Sequence, residues 1–88
     1  MTNLSSTANE TGVPAHVAAL VAQVLQVDPA ALSADDGMET MPQWDSLKVI
    51  MLASMIEINL GITLDNSEIE QLTTVRAVAQ VMARHGQG

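Results

Sequence analysis

One hydroxyl stands out among the side chains that could do chemistry. Ser46 follows Asp45 and precedes Leu47 where a polar, proline-containing stretch gives way to an apolar one. A serine there could act as a nucleophile, as an attachment point for another group, or as an ordinary surface residue after a helix cap. Hydrolase chemistry has little support. No Gly-x-Ser-x-Gly turn surrounds Ser46, and neither His16 nor His85 is near it in the chain. The two histidines lack metal-ligand spacing, and Asp35-Asp36-Gly37 lacks the alternating ligands of a calcium loop, so no metal site is predicted. With no cysteine, the chain has no disulfide, thiolate ligand or thiol nucleophile of its own. His16 and His85 read as solvated, and Glu68 and Glu70 as a solvated face.

The elements that must position Ser46 follow from periodicity. Val17, Leu20, Val21, Val24 and Leu25 repeat at helical spacing, predicting a first helix from about Pro14 to about Val27. A connection over 28–44 follows, with Pro29, the Asp35-Asp36-Gly37 turn signal and Pro42. Ala30, Ala31, Leu32 and Met38 are candidates to pack parts of it. A second helix is predicted from Ser46 to about Leu60. Asp45 should cap it through the N–H of Leu47 or Lys48, and Gly61 should end it. Its core stripe reads Val49, Leu52, Ala53, Ile56 and Leu60, with Leu47, Met51, Met55 and Ile58 outside. A short helical segment is predicted within 65–71, with Ile69 and Leu72 inward. A last helix should be capped by Thr73, lined by Val75, Val78, Ala79 and Met82, and closed by Gly86. The fold class is therefore all-α: three main helices and one short one in a four-helix bundle with a long first loop.

Composition agrees. Eighty-eight residues make one domain, nearly half apolar, with Trp44 the only aromatic residue. The core must then be aliphatic, and Trp44 should be partly buried with its N–H paired. Residues 1–12 read as a polar, disordered leader, 13–85 as the folded domain and 86–88 as a tail. A formal charge of −7 argues against nucleic acid and against anionic membranes, and favours partners with basic patches. No secretory signal or membrane-length apolar run is read in the sequence. A cytoplasmic monomer is the expectation.

Trp44-Asp45-Ser46-Leu47 opens an apolar helix, Gly61-Ile62 closes it, and Leu72-Thr73-Thr74-Val75 opens another. From about Val13 to Ala83 this pattern resembles the acyl carrier protein family. The resemblance implies a non-catalytic carrier. Its Ser46 would receive 4'-phosphopantetheine from coenzyme A by the action of a phosphopantetheinyl transferase. The thiol of that arm would hold acyl groups as thioesters and present them to acyl-loading, condensing or acyl-transferring enzymes. Family helices after this serine are often acidic, whereas Lys48 and Met51 occupy the early exposed positions here. Recognition is therefore expected to combine Asp35, Asp36, Glu39, Asp45 and Glu57 with apolar contacts from Leu47, Met51 and Met55. Met51 and Met55 are equally compatible with the core. The departure points to a discrete carrier of a polyketide or other specialised-metabolite pathway. The alternative is a helical interaction domain without a prosthetic group.

Overall fold

The structure, a computed structural model, describes residues 13–87. Four α-helices and no strand occur among the described residues: α1 (Ala15–Leu25), α2 (Ser46–Leu60), α3 (Asn66–Glu70) and α4 (Val75–Met82). A 3₁₀ turn, Pro29–Ala31, follows α1, and a π-helical turn, Ala83–Gln87, extends α4. The expected leader 1–12 lies outside the described residues. Gly86 does not close the last helix; it falls within that terminal turn.

Local chemistry sets each boundary. The N–H groups of Val17 and Ala18 both donate to the Pro14 carbonyl. Helix α1 stops at Leu25 rather than Val27 because Gln26 turns left-handed (φ 61°), and the Val27 N–H folds back to the Ala22 carbonyl. Helix α2 has the predicted ends. Asp45 caps it through the Lys48 N–H, and Gly61 terminates it at φ 66°, a conformation that penalises any residue with a Cβ. Helix α3 is only five residues long and would not persist alone. A capping box between Asp65 and Glu68 starts it, and the terminal turn staples it from outside: Arg84 donates to Gln71 Oε1 at 2.7 Å, and His85 Nε2 lies 2.8 Å from Glu68 Oε2. The His85 and Glu68 side chains are mostly buried in this contact, so neither belongs to a solvated face.

Helix α4 begins one residue later than the sequence suggests. Thr74, not Thr73, caps it by accepting from the Ala77 N–H at 3.0 Å. The Thr73 carbonyl instead accepts from the Met38 N–H. The next two free N–H groups of α4, on Val75 and Arg76, donate to the Asp36 and Ala34 carbonyls of the long connection. That loop is thus stitched to α4 by satisfying the donors every helix start leaves open.

The core is aliphatic apart from Trp44, and no polar residue is buried among the described residues. Leu52, Ile56, Leu72, Val75, Val78 and Val81 are wholly inaccessible. Val81 joins the α4 stripe, while Leu60 and Ala79, expected inside, are half-buried. In the loop Leu32 and Ala34 are buried, whereas Ala30, Ala31 and Met38 remain exposed.

Gly37 makes the loop seam close enough to form. It pairs with Thr74, and a Cβ added to it would run into the Thr73 carbonyl oxygen and come within 2.8 Å of Thr74 Cγ2. Gly37→Ala must therefore push the loop off α4. We expect a loss of about 2 kcal/mol, seen as a lower urea midpoint at unchanged slope. A midpoint equal to that of the parent protein would show that the seam yields freely.

Candidate functional site

Ser46 is the first residue of α2, and its side chain is exposed. Two features of the sequence hold it there. Asp45 adopts an extended backbone (φ −117°, ψ −173°) and its Oδ1 accepts the Lys48 N–H at 3.1 Å, so the helix must start at the serine. Trp44 anchors the preceding residue: the indole is 2% exposed, and its Nε1–H donates to the Leu72 carbonyl at 3.1 Å. The buried ring fixes the chain on one side of Ser46, and the α2 core stripe fixes it on the other. No side chain among the described residues hydrogen-bonds the Ser46 hydroxyl. No group of three His, Cys, Asp or Glu among the described residues is arranged to hold a metal ion.

The family model for the phosphopantetheine attachment site matches residues 15–82. The chain belongs to that family. Among curated proteins no match to it is found. A member of this family is a non-catalytic carrier with a covalently attached 4'-phosphopantetheine, installed by a phosphopantetheinyl transferase and visited by the enzymes of its pathway.

The residues present suit such a group. A phosphodiester on the first residue of this 15-residue helix would meet the positive end of the helix dipole. The N–H groups of the first turn not taken by Asp45 would be open to it. The carrier sets no acid or base in hydrogen-bond contact with the Ser46 hydroxyl among its described residues. It contributes an accessible hydroxyl on a rigid element and a field that favours a phosphate. The attached arm supplies the thiol that a cysteine-free chain lacks.

The other residues singled out by sequence are spread over two elements. Leu47 and Met51 are exposed on α2. Met55 is half-buried and packs against the core. Glu57 points back along the carrier's own chain, where its Oε2 accepts the Leu64 N–H at 2.9 Å and orders the turn after α2. In the loop, Asp35 pairs with Arg76, and both side chains are largely solvated, so the pair adds little to stability. Asp36 accepts from the Ser33 N–H at 3.0 Å and from the Thr40 hydroxyl at 3.2 Å, which closes the turn. Glu39 is exposed and has no partner among the described residues. Asp35 and Glu39 border an open cleft of about 360 Å³ whose other wall is Thr73 and Thr74.

Sequence reasoning passed over Ile50, which is 55% exposed on the outer face of α2. Its spacing from Leu47 and Ser54 was the available signal. No helix among the described residues is long and apolar enough to cross a membrane.

Proposed function

We propose that the chain is an acyl carrier in which Ser46 bears the phosphopantetheine arm and the folded domain spans 13–85. The observation that carries this reading is the exposed Ser46 hydroxyl, without a hydrogen-bond partner among the described residues and set by Asp45 and Trp44 at the start of α2 in a member of the phosphopantetheine attachment family. Acyl groups ride on the arm as thioesters. The tether raises their effective concentration at a docked enzyme, so weak and reversible docking suffices.

The partner surface proposed for it centres on the Ser46 end of α2 and on the adjoining loop. Leu47, Met51 and the half-buried Met55 supply apolar contact. Asp35, Asp36, Glu39, Asp45 and Glu57 supply charge, with Glu39 the carboxylate least engaged within the chain. A dedicated polyketide or other specialised-metabolite pathway is the setting we propose. The support is the composition of α2, whose first acidic residue is Glu57 and whose early turns carry Lys48 and Met51 instead.

Intact-mass spectrometry tests the reading. After incubation with coenzyme A and a broad-specificity phosphopantetheinyl transferase, the protein should gain the mass of one phosphopantetheinyl group, and peptide fragmentation should place it on Ser46. Protein that stays unmodified with both a broad-specificity and its cognate transferase would leave only a helical interaction domain.

A further inference from the structure

Lys48 is the chain's only lysine and therefore its only side-chain amine. It stands two residues after Ser46, in the first turn of α2. Local physics does not account for it there. A cation in the first turn faces the positive end of the helix dipole, an arrangement that costs stability. No carboxylate compensates. The first turn of α2 holds no acidic residue, and none of the described acidic side chains pairs with the Lys48 ammonium. Arg76, by contrast, meets Asp35, and Arg84 donates to Gln71. The Lys48 side chain is half-buried, as befits an apolar stem resting on the fold with its amine turned to water.

Ser46 and Lys48 lie about 200° apart around the helix and do not face each other. A phosphopantetheine arm on Ser46 removes that obstacle. From the serine oxygen to its sulfur it spans about as many bonds as five residues of backbone, or ~17 Å when extended. The helix with its side chains is only about 10–12 Å across. The sulfur can therefore come round the open face of α2, over the exposed Leu47, to the Lys48 amine. On such a tether the effective concentration is of millimolar order. The competing acceptors are few. The chain has no cysteine, and acylation of a histidine such as His16 or His85 gives a labile product rather than a stable amide.

We propose that Lys48 is a self-acylation site, taking the acyl group from the carrier's own arm. The proposal rests on Ser46 being the attachment residue. Lys48, in its unprotonated form, attacks the thioester carbonyl. A C–N bond forms, the C–S bond breaks, and the proton lost by nitrogen goes through solvent to the departing sulfur. The products are an Nε-acyl Lys48 and the free thiol of the arm, with no oxidant, reductant or further reactant. A carrier whose cargo is not collected thus retires it as an amide beside the attachment residue. The last cation in the early turns of α2 is lost in the same step.

The test uses the full chain, loaded on Ser46 from acetyl-coenzyme A by a broad-specificity transferase and held near pH 9. Samples are treated with hydroxylamine, which cleaves thioesters and spares amides, then measured by intact mass and peptide fragmentation. One hydroxylamine-resistant acetyl group should accumulate on Lys48, with a first-order rate constant that does not change on dilution. It should form at least ~10-fold faster than in Ser46→Ala protein given the same concentration of acetyl-coenzyme A in solution. Lys48→Arg, loaded in the same way, should gain no resistant acetyl group. Loss of the thioester without an amide on Lys48 overturns the proposal. So does a resistant acetyl group found only on the N-terminal amine, or an equal rate in Ser46→Ala. Failure of any arm to attach would remove the carrier reading and this proposal together, whereas a loaded arm that only hydrolyses would remove this proposal alone.

Discussion

Ser46→Ala is expected to end phosphopantetheine transfer completely while leaving the fold intact. The substitution deletes the hydroxyl proposed to carry the phosphate, so no residual rate should remain. It should do little else. The side chain is exposed, its hydroxyl bonds to no other side chain among the described residues, and the cap on α2 comes from Asp45. Alanine suits a helical position well, and an exposed change of this kind shifts stability by less than about 0.5 kcal/mol. Helix content and the urea midpoint should therefore match the parent protein while the mass gain disappears. Ser67→Ala, an exposed serine near the start of α3, serves as the control and should label normally. Labelling that persists in Ser46→Ala would move the attachment to another hydroxyl.

Trp44→Ala should be the most damaging single change in the region around Ser46. The indole is almost wholly buried and its N–H is spent on the Leu72 carbonyl. Emptying the space left by a large aromatic side chain costs about 3–5 kcal/mol, and the carbonyl loses its donor as well. Domains of this size have only about 5–15 kcal/mol in total. A drop in melting temperature of at least ~15 °C is expected. Trp44→Phe keeps an aromatic ring but removes the hydrogen bond and part of the ring volume, so it should cost less than Trp44→Ala and at least the about 1–3 kcal/mol of the carbonyl left without its donor. If Trp44→Ala melted within ~3 °C of the parent, the junction before Ser46 would owe its position to something other than this ring.

The helices were legible wherever a local signal acted alone. Asp45, the apolar stripe from Val49 to Ile56 and Gly61 bound α2 without help from the rest of the chain. Where two neighbours offered the same chemistry, the choice was tertiary. Thr73 and Thr74 are both good caps, and Thr74 takes the role because the Thr73 carbonyl is engaged by Met38. The solvent-facing chemistry was harder to read. Helical spacing assigns apolar residues to a core, and so gave no reason to place Ile50 outside or to weigh it with Leu47 and Met51. Charge was misleading for the opposite reason. Glu57, Asp36 and Glu68 count toward an acidic surface in the sequence, yet each accepts a bond from its own chain or meets His85. Those partners lie across turns and loops whose closure no periodicity announces. The terminal staple of Arg84 and His85 onto α3 was invisible on the same grounds.

A chain with one indole and no other aromatic ring has a single intrinsic fluorophore, and here it sits in the seam between the Ser46 loop and the corner joining α3 to α4. Shielded from water, it should emit in the blue and resist quenching by iodide. A red shift would then report the opening of that seam and nothing happening elsewhere in the molecule. The conformational cost of loading the arm, of changing its cargo or of handing the carrier from one enzyme to the next can thus be followed at one address, with no dye and no label.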